Sequence, residues 1–528
     1  MSRPKPLILI ILDAFGISPE KESNPVASAR TPVLDEIERN FPFTTLQASG
    51  VAVGLPWGEA GNSEVGHLTM GSGRVLHHHL PRIISSIRDG SFLKNESLLK
   101  AAHTVKMNNS RLHIAGLVSS GSVHSYIDHL YALFDVARRE DVEHVYLHVI
   151  TDGKDAPPME GAAFINALEE RCSQDWPNVK IASVVGRFYG MDRDEKWDRI
   201  QKDYELMTSG KGTAITSVPA YLEEEYKKGM SDEFIEPAVV VDAAGTPIAS
   251  VEAGDALIFF NFREDSMREI LHAFVDERFH AFSRAKIENL CIVTMTDYEE
   301  SLASLAAFPS PDIAFSLSEV LSAEGLNHFH VAETEKYAHV TYFFNGGKET
   351  PFAGEKRMLI PSLEVAHVDD VPEMRAHEIT SAILEHINFD VIIANYANAD
   401  MVGHSGNFAA VVQAVNVLDE SLGQLMNAIF NSGGVMLITG DHGGVELKRN
   451  MISGEKRTEH SINPVPLYIV GKDWKLKKSR TPDEIIRAKK EIGGILTDVA
   501  PTILELLELK KPREMTGTSL VPLLRRQI

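Results

Sequence analysis

The sequence predicts an α/β protein made of two α/β domains. Short apolar runs of strand length recur along the 528 residues, and amphipathic helical segments separate them. This rhythm is typical of parallel sheets with helices on their faces. Polar groups follow many of the runs, and the chain is longer than one ordinary hydrophobic core supports.

The clearest strands are predicted where apolar residues run without a charge. These runs are Leu7–Leu12, Leu112–Leu117, Val145–Ile150, Ile181–Val185, Ala256–Phe260, Leu290–Met295, Val391–Ala394, Val435–Thr439 and Pro466–Val470. A helix is predicted between two of them, because apolar residues recur there at spacings of three and four. Its predicted core-packing face comprises Val411, Val415, Leu418, Leu422, Met426 and Phe430.

The polar residues that follow the runs indicate how the chain is divided. Carboxylates and imidazoles follow the runs near both ends, whereas mostly cationic groups follow those in the middle. Ligands of open α/β sheets gather beyond the carboxyl ends of the strands, so the two kinds of group predict two different sites. We therefore expect a discontinuous first domain of residues 1–76 and 312–528, with residues 77–311 inserted as a second domain. The candidate hinges are His77–Leu80 and Phe308–Asp312.

Composition excludes several classes of protein. Lys and Arg total 52 and Asp and Glu total 74, so the formal net charge is −22. That charge opposes binding to nucleic acid or to an anionic membrane. Cys172 and Cys291 form no CxxC pair, and so few cysteines favour a reducing compartment. The apolar run after Lys5 stops at Asp13, too early for a secretory signal, so we expect a cytoplasmic protein.

Six groups near the predicted strand ends are candidate metal ligands: Asp13, Asp400, His404, Asp441, His442 and His460. Asp400 and His404 lie four residues apart, which places both on one face of a helical turn; a capping Asp400 with a surface His404 is the alternative. Such ligands without cysteine suit Mn²⁺ or Zn²⁺. Six exceed one mononuclear site, so we predict a two-metal centre, whose usual work is phosphoryl transfer.

Phosphoryl transfer at such a centre calls for a nucleophile, and Ser63 is the candidate. It lies in Gly61-Asn62-Ser63-Glu64-Val65-Gly66-His67, just before a segment able to start a helix. The alternative is that Ser63 is only the helix N-cap. Metal coordination would lower the pKa of its hydroxyl and make it a usable nucleophile.

The middle of the chain offers a candidate anion-binding set of His124, Lys154, Arg187, Arg193 and Arg263. The arginine fork suits carboxylate and phosphate. Each arginine taken alone is explained equally well by a surface ion pair. Their recurrence after predicted strands favours a substrate pocket.

With these motifs the chain resembles a known family, the 2,3-bisphosphoglycerate-independent phosphoglycerate mutases of the alkaline phosphatase superfamily. The resemblance covers nearly the whole chain. It rests on Leu9–Asp13, Gly61–His67, Gly121–His129, Gly186–Asp194, Phe259–Arg263, Glu333–His339, Asn395–His404, Asp441–Gly443, Ala500–Thr502 and Met515–Gly517.

The resemblance implies a fold and a reaction. The first domain would be alkaline-phosphatase-like and would hold the metals, and the inserted domain would bind substrate. Ser63 would take the phosphoryl group of 3-phosphoglycerate as a phosphoserine, and the group would return to the other hydroxyl. The protein would need no bisphosphoglycerate and would be a monomer.

The resemblance also implies residue roles. One divalent ion, Mn²⁺ in many bacterial members, would be held by Asp13, Ser63, Asp441 and His442, and the second by Asp400, His404 and His460. Substrate would be held by His124, Lys154, Asp155, Arg187, Arg193, Arg263 and Lys336. Asp155 would also carry a proton between the two glycerate hydroxyls.

Two positions depart from the family pattern. Lys154 and Ser266 stand where the family usually has arginine, so we expect Lys154 or Arg268 to share the missing anion-holding role. These departures leave open a phosphatase, or a mutase acting on another small phosphorylated metabolite. A non-catalytic binding protein is a further alternative, although it would be expected to lose Ser63 or a metal ligand.

Overall fold

The computed structural model describes residues 3–77, 79–299, 301–310, 312–449 and 454–528. The chain divides into two compact units, one of Met1–His78 with Asp312–Ile528 and the other of His79–Pro311. The sequence expectation placed these joints after residues 76 and 311. His78 and Pro311, at the joints, lie outside the described residues. Among the described residues, no helix combines the length and the apolarity needed to cross a bilayer.

The first unit is built on an eight-stranded sheet with the order β12-β11-β13-β1-β14-β15-β2-β16. Its strands are β1 Leu7–Leu12, β2 Phe43–Gln47, β11 His328–Glu333, β12 Glu355–Ile360, β13 Val391–Tyr396, β14 Val435–Thr439, β15 Val465–Val470 and β16 Ile492–Ile495. Strand β15 pairs antiparallel with both neighbours, and the other pairings are parallel. Every residue of β1 is fully buried, as expected of a strand covered on both faces.

The second unit is built on another eight-stranded sheet, with the order β10-β9-β8-β3-β4-β5-β7-β6. Its strands are β3 Leu112–Leu117, β4 Val145–Thr151, β5 Val179–Gly186, β6 Thr213–Ile215, β7 Ala238–Val240, β8 Ala256–Phe259, β9 Cys291–Thr294 and β10 Leu305–Ala306. Only the pairing of β5 with β7 is antiparallel among those described. Two hydrophobic clusters contain the buried side chains of this unit.

Helices accompany both sheets. In the first unit they are α1 Pro25–Ser28, α2 Pro32–Asn40, α3 Ser63–Ser72, α12 Leu317–Ala323, α13 Thr334–Ala338, α14 Ala376–Glu385, α15 Asn398–Gly403, α16 Phe408–Ser432, α17 Pro482–Lys490, α18 Val499–Leu506 and α19 Val521–Arg525. In the second they are α4 His79–Asp89, α5 Glu96–Asn108, α6 Ile127–Arg139, α7 Gly161–Asp175, α8 Arg187–Gly190, α9 Trp197–Ser209, α10 Val218–Lys227 and α11 Arg268–Val275.

The fold class predicted from the sequence is confirmed, and each of the predicted apolar runs overlaps a strand. The predicted helical stripe lies in α16, where all its members but Phe430 are buried. The strands that the sequence did not reveal are β2, β6, β7, β10, β11, β12 and β16. They are short, lie toward the sheet edges or carry polar residues, as in Glu355-Lys356-Arg357 of β12 and the two histidines of β11.

One buried charge of the second unit lacks a partner. Asp203 of α9 is 3 % exposed, and no hydrogen bond or ion pair reaches its carboxylate among the residues described. Desolvation raises the pKa of Asp203 from 3.8 to about 7. Above pH 7 the group is ionised in both the folded and the unfolded chain, and its burial then destabilises the fold fully. Below pH 4 it is protonated in both states and this cost disappears.

Asp203→Asn should therefore raise the melting temperature at pH 8, with a gain that shrinks as the pH falls from 7 to 4. The full effect corresponds to at most about 4 kcal/mol, since one pKa unit is about 1.4 kcal/mol. The measurement is thermal unfolding of variant and wild type across this pH range. Asp198→Asn, which removes an exposed carboxylate of the same helix, should show no such pH dependence. A stability difference for Asp203→Asn that stays constant with pH would contradict the prediction.

Candidate active site

The sheet of the first unit brings the predicted metal ligands to one edge. Strands β13, β1 and β14 are parallel neighbours, so the residues that follow them emerge side by side. Asp400, Asp13 and Asp441 follow these three strands in turn. Strand β15 runs in the opposite direction and therefore begins at this same edge. The segment just before β15, which contains His460, leads into the strand from there. This arrangement explains how ligands hundreds of residues apart meet.

Ser63 lies among these groups as the first residue of α3. Its Oγ donates to Asp13 Oδ1 at 3.0 Å and lies 3.2 Å from His442 Nε2. The helix cap is Asn62, whose side chain accepts from the Val65 amide at 2.9 Å. The alternative that Ser63 serves as the N-cap is therefore wrong. Its hydroxyl is free to face the carboxylate and imidazole cluster.

Lys336 holds a central place in the cluster. Its ammonium donates to Asp13 Oδ1 at 2.9 Å, to Asp400 Oδ2 at 2.6 Å and to Ser63 Oγ at 2.7 Å. Desolvation would lower the pKa of this amine, but the nearby carboxylates of Asp13 and Asp400 outweigh it and raise the pKa. A buried ammonium thus neutralises part of the carboxylate charge and binds the nucleophile directly.

Three histidines present their Nε2 atoms to the carboxylates. The Nδ1 atoms of His404, His442 and His460 lie 3.0, 3.2 and 2.9 Å from backbone carbonyl oxygens. A carbonyl oxygen only accepts, so each ring carries a proton on Nδ1 and, when neutral, keeps a lone pair on Nε2. Desolvation opposes the charged form of His442, but the carboxylates of Asp441 and Asp13 outweigh it and raise the pKa of His442 to about 9. A divalent ion bound there would compete with this proton for Nε2. Such a carbonyl-held imidazole is the usual arrangement of a metal-ligating histidine.

The lone pairs converge with carboxylate oxygens in two places. Nε2 of His404 and Nε2 of His460 lie 3.3 and 3.4 Å from Asp400 Oδ1 and 3.3 Å from each other. In the second place, His442 Nε2 lies 3.5 Å from Asp13 Oδ1 and 3.6 Å from Asp441 Oδ2. The latter oxygen is buried and has no hydrogen-bond partner among the residues that the structure describes. Carboxylate oxygens and imidazole nitrogens that converge in this way suit divalent cations.

The site includes residues that sequence reasoning missed. His67, Asn395 and Glu446 are all fully buried around the cluster. Glu446 Oε2 accepts from the Gly444 amide at 2.7 Å, and Oε1 accepts from Asn463 Nδ2 at 2.9 Å. It thereby ties the loop after β14 to the segment before β15. The only sequence signal for it was its place four residues after His442.

Ala14, next to Asp13, adopts a left-handed backbone with φ +59°. Its amide donates to Asp441 Oδ1 at 3.0 Å, and its carbonyl accepts from the Val445 amide at 3.1 Å. The hydrogen bonds that join the loops after β1 and β14 therefore hold a conformation that costs a non-glycine residue about 1 kcal/mol or more.

The predicted cationic set lines one cavity of the second unit. This cavity of about 260 Å³ is bordered by residues that follow β3, β4, β5 and β8. They include every predicted substrate residue of this unit, namely His124, Lys154, Asp155, Arg187, Arg193 and Arg263, and also Ser266. Lys336, which the resemblance also assigned to substrate, lies beside Ser63 in the cluster of the first unit.

Ion pairs hold the arginines of the cavity in place. Arg187 Nη1 donates to Asp152 Oδ1 at 2.7 Å and to Asp155 Oδ2 at 2.6 Å. Arg193 Nη1 and Arg263 Nη2 both donate to Asp265 Oδ2, at 2.7 and 2.9 Å. Paired guanidinium groups keep further N–H donors for an anion, since each has five.

His124 is kept neutral in this surrounding. Desolvation and the charges of Arg187 and Arg263 lower the pKa of His124 from 6.5 to about 4. Arg187 Nη2 lies 3.1 Å from His124 Nε2 and can only donate, so the ring proton is on Nδ1, 3.2 Å from Ser266 Oγ. Ser266, where the family pattern has arginine, thus accepts a hydrogen bond from His124.

Arg268 does not reach this cavity. Its Nε donates to the Tyr298 carbonyl at 3.0 Å, and its Nη2 lies 3.6 Å from Glu264 Oε1. It is also absent from the cavity lining, whereas Lys154 is part of it. Of the two residues expected to compensate for the departures, only Lys154 is in place to do so.

Comparison with known proteins agrees with this picture. The family model described as "BPG-independent PGAM N-terminus" matches residues 83–300. The chain is 45% identical to the 2,3-bisphosphoglycerate-independent phosphoglycerate mutase of Chloroflexus aggregans, covering 99% of each chain. It is 43% identical to that of Moorella thermoacetica, covering 98% of each. A crystal structure of Leishmania mexicana phosphoglycerate mutase at low cobalt concentration is 29% identical, with a TM-score of 0.63 and 98% of each chain covered.

The chain forms two α/β units, and its matches to phosphoglycerate mutases cover nearly all of it. It is therefore an enzyme of the phosphoglycerate mutase class, and enzymes of this class are isomerases. Within that class, the chain belongs to the 2,3-bisphosphoglycerate-independent phosphoglycerate mutase family.

Proposed function

We propose that this protein interconverts 3-phosphoglycerate and 2-phosphoglycerate through a phosphoserine at Ser63, with no bisphosphoglycerate cofactor. The observation that carries the proposal is the surrounding of Ser63 Oγ. A carboxylate, an ammonium and an imidazole nitrogen lie within 3.2 Å of it. Asp13 is placed to accept the hydroxyl proton, and Lys336 to neutralise charge on the attacking oxygen. The names of the full-length relatives supply the substrate class.

Two divalent ions, Mn²⁺ by the family pattern, belong to this proposal. Asp13, Ser63, Asp441 and His442 would hold one ion, and Asp400, His404 and His460 the other. The short distances from the Nε2 atoms to the carboxylate oxygens support this assignment. Ligand atoms within 4.8 Å of one another also group His442 with Asp400 and His460, and His67 with Asp13 and Asp441. Both ring nitrogens of His67 are already engaged in hydrogen bonds, which leaves His442 to complete the Asp13 and Asp441 set. When bound, the ions would lower the pKa of the serine hydroxyl and neutralise phosphoryl oxygens.

The cavity of the second unit would hold the glycerate. Its cations are suited to the carboxylate of the substrate, and neutral His124 adds a hydrogen-bonding ring that does not change its charge near neutral pH. Asp155, whose carboxylate accepts from Arg187, would carry the proton between the two hydroxyls. Retention of the glycerate by these groups is what separates a mutase from a phosphatase with the same nucleophile.

Ser63→Ala should reduce mutase turnover by at least about three orders of magnitude, because the phosphoryl acceptor is lost. Bound metal and melting temperature should change little, since the Asp and His groups remain. Mass spectrometry of wild type after brief exposure to substrate should find phosphate on the Ser63 peptide. Ser72→Ala, at another buried serine of α3, is the matched control and should keep activity. Phosphate found reproducibly on another residue would overturn the assignment of Ser63.

Lys154→Gln should raise the Michaelis constant for 3-phosphoglycerate by roughly ten- to a hundredfold, because a charge-assisted contact to the anion is lost. Arg268→Gln removes the same charge outside the cavity and should leave the constant within about threefold of wild type. Steady-state kinetics with a parallel assay of free phosphate makes the comparison. Equal effects of the two substitutions would show that overall charge, and not the cavity, holds the substrate.

A further inference from the structure

A second set of hydrogen bonds lies behind the Ser63 cluster and involves no predicted site residue other than Asp13, Ser63 and Asp441. Its members are His67, one turn after Ser63 in α3, and Asn395 of β13, both with no exposed surface. His67 Nδ1 lies 2.8 Å from the Ser63 carbonyl oxygen, and His67 Nε2 lies 3.0 Å from Asn395 Nδ2. Asn395 Nδ2 also donates to Asp13 Oδ2 at 2.7 Å.

These contacts assign the proton on the ring of His67. A carboxylate oxygen only accepts, so the amide group that faces Asp13 is the NH₂ of Asn395. That NH₂ can only donate to His67 Nε2, which therefore carries no proton. A neutral ring then has its proton on Nδ1, where it is donated to the Ser63 carbonyl.

The hydrogen bonds close a ring around the nucleophile. The ring runs from the Ser63 carbonyl through His67, Asn395 and Asp13 back to the Ser63 hydroxyl. The same Nδ1–H faces Asp441 Oδ2 at 3.4 Å. A side chain at Gly66 would lie 2.5 Å from the Asp441 carbonyl oxygen, so the glycine permits this close approach.

We propose that His67 is a positioning residue whose Nδ1–H tautomer, set by Asn395, fixes Ser63 relative to Asp13 for attack on phosphorus. The effect of His67 on kcat rests on the proposed function. His67 has no exposed surface, and this role requires neither contact with substrate nor a change of charge. Both ends of the serine, the carbonyl and the hydroxyl, are tied to the same buried ring, and rotation of the hydroxyl away from Asp13 would break it.

Two amide substitutions separate the nitrogen atoms of the ring. The side-chain amide of His67→Asn lies near the position of Nδ1 and can still donate to the Ser63 carbonyl, whereas that of His67→Gln lies near the position of Nε2. We expect His67→Asn to keep kcat within about threefold of wild type and His67→Gln to lower it about ten- to a hundredfold with an unchanged Michaelis constant. Stoichiometric phosphorylation of Ser63 in a single turnover should slow by the same factor.

A role in packing alone predicts a different result, because both variants replace the imidazole with a smaller side chain and leave cavities of similar size. Equal losses of kcat in the two variants, in step with equal losses of melting temperature, would overturn the inference. A kcat equal to that of wild type in both variants would also overturn the inference. Asn395→Ala combined with His67→Gln should lower kcat no more than His67→Gln alone, since one ring is broken in each case.

A spectroscopic measurement tests the tautomer without any turnover. In protein with ¹⁵N-labelled histidine rings, the resonances that disappear in His67→Asn should belong to a neutral ring protonated on Nδ1. A proton on Nε2 of this ring would overturn the inference whatever the kinetics of the variants. If wild type formed no 2-phosphoglycerate, the proposed function would fail, while this spectrum would still decide the tautomer.

Discussion

The ammonium of Lys336 between Asp13, Asp400 and Ser63 is the interaction on which the candidate site depends. Three carboxylates meet at one sheet edge, and burying such charges without cations is strongly unfavourable. Lys336 supplies one positive charge from within the chain. The remaining negative charge and the free imidazole lone pairs are the reason that the site suits divalent ions. The same balance of charge places the serine hydroxyl beside an acceptor for its proton.

The topology of the sheet makes this concentration of charge possible. Parallel strands β13, β1 and β14 deliver one carboxylate each to the same edge, and Lys336 follows β11, the next strand along. Because β15 is antiparallel, it begins at this edge, and the segment before it brings His460 to the site. The second sheet uses the same rule with cations, since Arg187 and Arg263 follow β5 and β8. Each unit thus places its polar groups beyond the carboxyl ends of its parallel strands.

The sequence predicted the parts of this arrangement that local patterns encode. An uninterrupted apolar run followed by Asp13 or by Asp441-His442 is visible without a structure, and the runs overlap strands of both sheets. The parts that depend on long-range contacts were not visible. Lys336 was assigned to substrate by resemblance alone, and nothing local indicates that its ammonium meets Asp13, 323 residues away. His67 and Asn395 were missed for the same reason, because their roles come from contacts with each other across 328 residues. The strands β11 and β12 escaped prediction because histidines and charges interrupt their apolar pattern.

The central claim is that the Ser63 cluster returns its phosphoryl group to a retained glycerate and does so with bound metal. Phosphorus NMR of the purified, metal-loaded protein with 3-phosphoglycerate, and without bisphosphoglycerate, tests it most directly. The account predicts that 2-phosphoglycerate appears with little free phosphate, and that it stops appearing after chelation confirmed by elemental analysis. Release of mainly free phosphate, or full activity without metal, would contradict it.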